Sequence, residues 1–202
     1  MATRQRERIV DAALSIADEH GWQAVRLHEV AVRLDLPLAR IHEQFPDLDA
    51  VADAWLERAD RAMLAEAERA DFGDLPVTER LLAALTAWFA ALGNRRRVLR
   101  HVLAYKLTPA HLHLQAAAVV ATSRRVQWLR EAARLDASGA QKSLEEVGLT
   151  GLFLATLGVW LRDETAESER TRAFLRRRLE RADRLMTRLF RCSAAARRGD
   201  RT

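Results

Sequence analysis

Three histidines come nearest to a metal-binding pattern in this chain. They are His101, His111 and His113, and side chains two positions apart do not share a face of a helix. Neither a cysteine nor a pair of carboxylates accompanies them, which argues against a zinc site. The chain also lacks a glycine-rich phosphate loop, a nucleophile elbow and an H-E-x-x-H motif. The sequence therefore predicts no catalytic activity, no bound metal and no cofactor.

Three other side chains are suited to contacts with nucleic acid. The guanidinium groups of Arg26 and Arg40 can bind phosphate or the edge of guanine, and the amide of Gln44 can pair with adenine. Gln44 adjoins Phe45, so a packing or surface role is the alternative for it. These residues can act together only if neighbouring elements present them on one surface.

The elements that would position them are helices. The chain has 202 residues, of which 49% are hydrophobic and 30% charged, so it can bury a core and is not mainly disordered. With 8 glycines and 4 prolines among abundant Ala, Leu and Arg, the composition disfavours a β-rich fold. Cys192 is the only cysteine, which excludes a disulfide framework.

Helical periodicity and turn residues divide the chain into segments. Gly21, the Asp35–Pro37 stretch, Phe45–Pro46 and the stretch from Asp71 to Pro76 are typical breaks between helices. Residues 193–202 are predicted to form a disordered basic tail. The nine predicted helices cover approximately residues 3–20, 27–34, 38–44, 47–70, 77–92, 95–107, 111–135, 140–163 and 166–192.

The first 46 residues have the layout of a DNA-binding helix-turn-helix. Three helices are predicted there, and a tight turn joins the last two, which are short. With these residues the chain resembles the tetracycline-repressor (TetR) family of bacterial regulators. The resemblance lies in Arg8–Leu14, Glu19–Trp22, Val30–Ala31, Leu34–Leu36, Ile41–Phe45 and Asp49–Val51.

The resemblance implies an all-α, TetR-like fold. Its parts would be a three-helix DNA-binding domain at 1–46 and a six-helix ligand-binding and dimerisation domain at 47–192. It further implies a homodimer that binds double-stranded operator DNA and acts as a ligand-responsive repressor, with a small apolar or amphipathic ligand. The expected DNA-binding residues are Arg26, Leu38, Ala39, Arg40, His42, Glu43 and Gln44.

Several positions depart from the family's pattern. The family usually has Thr at the place of Arg26, Gly at Asp35 and a capping Ser or Thr at Pro37. His42 replaces a tyrosine that often contacts phosphate, and Leu48 replaces a lysine. Residues 1–46 carry a net charge of −1, so phosphate attraction is weak. The alternative interpretation is a helix-turn-helix kept for packing alone.

Helices eight and nine carry faces suited to a neighbouring helix. Small residues recur along helix eight and apolar residues recur along helix nine with heptad-like spacing. A glycine costs about 1 kcal/mol against alanine in a helix, and close approach of another helix would offset that cost. The faces predict a dimeric four-helix bundle, or packing within one chain. The predicted interface residues are Gly148, Gly151, Ala155, Gly158, Leu175, Leu179, Ala182, Met186 and Leu189.

The middle helices hold aromatic side chains, some with polar tips. An apolar ligand pocket needs this composition, but an ordinary core uses the same residues, so both interpretations stay open. The candidate pocket residues are Trp88, His101, Tyr105, Trp128 and Phe153.

A second resemblance lies near the C-terminus. Trp160–Thr165, followed by Thr171, Ala173–Leu175 and Arg177–Leu179, resembles the C-terminal region of the ubiquinone-biosynthesis accessory family. Those proteins share the TetR-like fold, bind isoprenoid lipid and act without DNA. The resemblance implies a lipid-binding accessory protein as the alternative function.

The charge and apolar patterns bear on location and partners. Residues 170–202 carry a net charge of +9, which favours nucleic acid, an anionic surface or simply a solvated helix face. The longest apolar run, residues 147–161, is shorter than the ~20 residues that a bilayer span needs. Because the N-terminus also lacks a signal-peptide core, we expect a cytoplasmic protein without integral membrane insertion.

Overall fold

The computed structural model describes residues 2–108 and 112–199. Within those residues the chain forms nine α-helices and no strand, which confirms the all-α prediction. Short 3₁₀ turns occupy Trp22–Ala24, Phe72–Asp74 and Ala166–Ser168. The helices are α1 (Ala2–His20), α2 (Leu27–Arg33), α3 (Leu38–His42), α4 (Leu48–Ala67), α5 (Val77–Ala91), α6 (Arg96–Lys106), α7 (Leu112–Ala132), α8 (Gly139–Trp160) and α9 (Glu169–Gly199).

The chain divides into two compact units. The first unit comprises Met1–Met63 and Ala87–Arg125, and the second comprises Leu64–Thr86 and Val126–Thr202. The three N-terminal helices thus share a unit with α6 and with most of α4. The domain boundary expected after residue 46 stays a prediction.

The core of the first unit follows from helical periodicity. Ile9, Ala13 and Ile16 are spaced by four and three positions, so they lie on one face of α1 and are buried. This helix packs against α2, α6 and the turn at Trp22–Ala24. The indole of Trp22 is 2% exposed, so that short turn is part of the core.

Two residues at helix ends have a positive φ. Gly21 ends α1, and Asp35 lies in the turn that follows α2. Gly21 has φ +87°, and a Cβ there would lie 3.2 Å from Nδ1 of His101, so both conformation and space favour glycine. Asp35 has φ +53°, which aspartate tolerates better than most residues. The backbone N–H of Leu36 then donates to the carbonyl of Ala31 at 2.9 Å, which closes the turn.

The second unit is built around the packing of α8 against α9. Leu149, Phe153 and Trp160 of α8 are buried, and so are Leu175 and Leu179 of α9. The buried carboxylate of Asp163 accepts hydrogen bonds from the backbone N–H of Thr171 at 2.7 Å and from its hydroxyl at 2.6 Å. Asp163 therefore caps the first turn of α9 from the linker that follows α8.

The helix ends differ from the predicted ones mainly in α9. This helix begins at Glu169 rather than 166, because Glu167 and Ser168 have φ values of +49° and +57°. Its backbone also continues to Gly199, past the predicted end at Cys192. The predicted disordered tail is thus helical backbone over 193–199, and residues 200–202 lie outside the described residues. The predicted start of helix seven at His111 lies outside them as well.

Candidate nucleic-acid interface

The helix-turn-helix positions α3 by its backbone rather than by a side-chain cap. Pro37 occupies the cap position with φ −60° and ψ 142°, and it provides no side-chain acceptor. The N–H of Arg40 donates to the carbonyl of Pro37 at 2.9 Å. Ile41, the inward residue of α3, is fully buried. Because no side chain caps α3, its first turn depends on the packing of Ile41 into the core.

Arg6 holds the far end of α3. Its Nη1 donates to the carbonyl oxygen of Gln44 at 2.7 Å, and its guanidinium carbon lies 4.2 Å from the ring centroid of Phe45. Phe45 is fully buried. A guanidinium over an aromatic face is attracted to the ring, so one α1 side chain fixes two residues after α3. The sequence analysis missed Arg6, because only the fold brings it to Phe45.

The outer face of α3 is exposed. Leu38 is 52% exposed, and Ala39, Arg40, His42 and Glu43 are exposed too. Nη1 of Arg40 lies 2.8 Å from Oε2 of Glu43, so Arg40 forms an ion pair with a residue of the same surface. The structure thus gathers five of the seven predicted DNA-binding residues on one short surface.

The two remaining predicted residues lie at the margins of this surface. Arg26 precedes α2, is exposed, and donates through Nη1 to the carbonyls of Gln23 at 2.8 Å and Val25 at 3.0 Å. Its Nη2 and Nε make no hydrogen bond to described residues. Gln44 is half-buried, and its backbone carbonyl accepts the hydrogen bond from Arg6, so the role of its side chain stays a prediction.

An apolar cleft of about 560 Å³ opens beside α3. It lies between the start of α2, the side of α3 and the first residue of α4. Arg26, His28 and His42 are the polar residues among those that line it. Its apolar lining comes from Val25, Leu27, Leu38, Ile41, Phe45 and Leu48. The sequence analysis did not predict this cleft.

Ion pairs join α4 to its neighbours in the first unit. Arg58 of α4 contacts Asp11 of α1 at 2.5 Å and donates to the carbonyl of Glu7 at 2.7 Å. The buried Lys106 of α6 contacts Asp53 at 2.7 Å. These contacts fix α4 beside the helix-turn-helix.

The candidate pocket residues divide between the two units. In the first unit, Trp88 is 1% exposed and donates from Nε1 to Oδ1 of Asp60 at 2.6 Å, while His101 and Tyr105 are half-buried. In the second unit, Phe153 is buried, and Trp128 is 52% exposed. A common pocket formed by these residues stays a prediction.

The candidate interface residues also separate into two groups. Leu175 and Leu179 are buried within the protomer. The other residues are exposed or half-buried, and a Cβ at Gly148 or Gly151 would meet no described atom within 4 Å. That exposed or half-buried group consists of Gly148, Gly151, Ala155, Gly158, Ala182, Met186 and Leu189.

The solved structures that are similar to this chain include two bacterial transcriptional regulators. The crystal structure of the TetR transcriptional regulator from Nitrosomonas europaea has 42% sequence identity and a TM-score of 0.81, over 89% of this chain and 98% of that one. A TetR-like transcriptional regulator from Rhodococcus sp. RHA1 has 18% identity and a TM-score of 0.50, over 88% of this chain and 94% of that one. The second likeness concerns the fold alone.

A third comparison concerns the C-terminal half. The family model described as COQ9 matches residues 147–186, which agrees with the second resemblance seen in the sequence. No curated protein matches the chain. None of the helices in the described residues has the length and apolar character that a membrane crossing requires. The similarity to the Nitrosomonas europaea regulator extends over nearly the whole of both chains, and this chain therefore belongs to the TetR family.

Proposed function

We propose that this protein is a DNA-binding transcriptional regulator that acts as a homodimer and responds to a small ligand. The observation that carries the proposal is the exposed outer face of α3. Burial of Ile41 anchors this helix, and the contacts of Arg6 hold the residues that follow it. In a TetR-family chain this helix is the one expected to enter the major groove.

The chemistry of that face suggests how DNA would be read. Leu38 and Ala39 offer only apolar contact, which suits the methyl group of thymine. Arg40 can reach guanine or phosphate once its pair with Glu43 opens. Nη2 and Nε of Arg26 bond to none of the residues that the structure describes and can therefore donate to a phosphate oxygen. We expect few phosphate contacts and hence a shallow salt dependence.

A homodimer is supported by the outward face of α8. Val147 is 71% exposed and Leu154 50% exposed, and both lie beside the open glycines Gly148 and Gly151. Exposed leucine and valine next to uncovered glycine favour a closely packed partner helix. On α9, Met186 is half-buried and Leu189 is exposed, so this helix offers further apolar side chains to a partner. A second copy of the chain is the partner that a two-fold regulator requires.

The ligand would be small and apolar or amphipathic. Trp88, His101 and Tyr105 in the first unit, and Trp128 and Phe153 in the second, remain its candidate contacts. Arg125 is buried beside Trp88 and bonds to the carboxylate of Asp60 through Nη2 at 3.0 Å. Ligand-dependent rearrangement near these residues would change the affinity for DNA.

The match to COQ9 supports a second candidate, a lipid-binding accessory protein on the same fold. The match includes the capping network of Asp163 and Thr171 and the buried Leu175 and Leu179. These residues stabilise the α8–α9 packing. The COQ9 match is confined to residues 147–186, whereas the similarity to the Nitrosomonas europaea regulator covers 89% of this chain, so we place the first candidate first.

The experiment is selection of genomic fragments by the purified protein, followed by fluorescence anisotropy on the enriched duplex. We expect one palindromic site, weakened by Arg40→Ala but not by Arg124→Ala, a matched change of an exposed arginine on α7. Loss of a base contact costs about 1–3 kcal/mol, or about 5–150-fold in affinity. No enrichment above random fragments would contradict DNA binding, and lipid copurifying with the protein would then favour the second candidate.

A further inference from the structure

The cleft beside α3 has the composition of a small-molecule site. Its volume of about 560 Å³ falls within the roughly 300–1,000 Å³ of ligand pockets. Such pockets are mostly apolar, with a few polar groups that orient the ligand. Six apolar side chains line this one, together with one arginine and two histidines. The same unit provides every lining residue.

The apolar lining is poorly suited to phosphate. Leu38 is 52% exposed, and Leu27 and Leu48 are half-buried. Leucine offers no hydrogen bond to a phosphate oxygen, whereas removing its surface from water is favourable by about 25 cal/mol per Å². Burial against this lining would therefore stabilise the binding of an aliphatic chain but not of a phosphate group.

Each polar side chain that lines the cleft can donate a hydrogen bond to an anion. Arg26 has Nη2 and Nε uncommitted among the described residues, and the imidazoles of His28 and His42 are exposed. None of the nine described residues that line the cleft carries a carboxylate. The charge of the cleft therefore complements a single negative headgroup.

We propose that this cleft binds a single-chain anionic amphiphile, of which a free medium-chain carboxylate is the simplest. The aliphatic chain lies against Leu27, Leu38 and Leu48, and the carboxylate bonds to Arg26. Because Arg26, Leu38 and His42 also belong to the expected DNA surface, the bound amphiphile and DNA exclude each other. That competition rests on the proposed function, whereas binding of the amphiphile does not.

The test is calorimetric titration of the full chain with octanoate and with 1-octanol. We expect one octanoate per protomer and affinity for octanoate about tenfold above that for 1-octanol, as one charge-assisted hydrogen bond supplies. Arg26→Gln should remove that preference and leave the affinity for 1-octanol unchanged. Leu38→Glu should weaken octanoate binding at least tenfold. Val119→Glu, the same change at an exposed valine of α7, should leave it unchanged.

Several results would overturn the proposal. They are the absence of saturable octanoate binding, equal affinity for octanoate and 1-octanol, or equal weakening by Leu38→Glu and Val119→Glu. Methyl resonances of Leu27 and Leu48 that stay unshifted by octanoate would also place the ligand elsewhere. Duplex binding is measured separately from octanoate binding. Failure to bind DNA would contradict the proposed function, whereas the octanoate titration tests the cleft independently of it.

Discussion

The ammonium group of Lys106 lies 2.7 Å from the carboxylate of Asp53, although the lysine side chain is only 8% exposed. A second carboxylate, that of Asp49, lies 3.7 Å from the same nitrogen. The two aspartates are four positions apart on α4 and thus share one face of it. A buried cation on α6 is in this way neutralised entirely from α4.

Because the lysine is buried and Asp53 is 55% exposed, the two partners should respond unequally to substitution. Asp53→Ala leaves a buried ammonium with only the more distant Asp49, and we expect a loss of about 1–3 kcal/mol in the free energy of unfolding. Lys106→Met leaves Asp53 in contact with water and takes a cation away from Asp49, which is only 22% exposed. It also replaces the lysine stem with apolar volume and leaves no buried ammonium, so its cost should be smaller. Urea denaturation at neutral pH measures both. A larger loss in Lys106→Met would contradict this asymmetry.

The contact of Arg6 with Phe45 and Gln44 gives a second prediction. Arg6→Lys keeps the charge but loses the planar group that lies over the ring and donates to the carbonyl. We expect a loss of about 1–2 kcal/mol. Hydrogen exchange should report faster exchange of the Phe45 amide, whose bond to the Ile41 carbonyl ends α3.

The control is Arg4→Lys, an exposed position on the same helix. It should leave both the stability and the Phe45 exchange rate unchanged. If the two variants behave alike, Arg6 does not hold the end of α3.

Much of the fold could be predicted because its determinants are local. The apolar spacing of Ile9, Ala13 and Ile16 fixes the buried face of α1, and Gly21 fixes its end. Asp35 takes the left-handed turn conformation that its position requires. The start of α9 could not be placed, because it depends on Asp163, whose hydrogen bonds reach eight positions along the chain to Thr171.

The candidate site was predictable only in part for the same reason. Exposure of Leu38, Arg40 and His42 follows from one buried neighbour, Ile41, in a short helix. The cleft beside them requires Leu48 from α4, and the contacts with Gln44 and Phe45 require Arg6 from α1. The spacing of residues within α3 does not show that α4 or α1 comes close to this helix.

The open face of α8 predicts how the protomers meet. A Cβ at Gly151 would meet no described atom within 4 Å, so Gly151→Leu fits the isolated protomer and removes a helix glycine. In a dimer packed through this face the added side chain overlaps the partner helix, at a cost of about 1–3 kcal/mol. We expect a dimer dissociation constant at least about tenfold higher in sedimentation equilibrium.

The matched control for Gly151→Leu is Ala116→Leu, at an exposed position of α7. It should leave the dissociation constant unchanged. Unaltered dimerisation of Gly151→Leu would show that the protomers associate through another surface.

The Asp163 carboxylate makes the stability of the α8–α9 linker dependent on pH. Burial acts to raise the pKa of this carboxyl, but hydrogen bonds from Thr165 and Thr171 outweigh burial and lower its pKa to about 2. Its ordinary value is 3.8. A difference of that size corresponds to about 2 kcal/mol of stability for the ionised form.

Since the folded-state pKa is the lower one, this stabilisation is complete above pH 4 and is lost as the pH falls through about 2. Asp163→Asn should therefore lower the free energy of unfolding by about 2 kcal/mol at pH 6, and the difference from the wild type should shrink between pH 4 and pH 2. Denaturant titrations across that range measure the difference. Asp183→Asn, an exposed carboxylate on α9, should show no such convergence. A difference for Asp163→Asn that stays constant from pH 6 to pH 2 would mean that the Asp163 contribution comes from shape rather than charge.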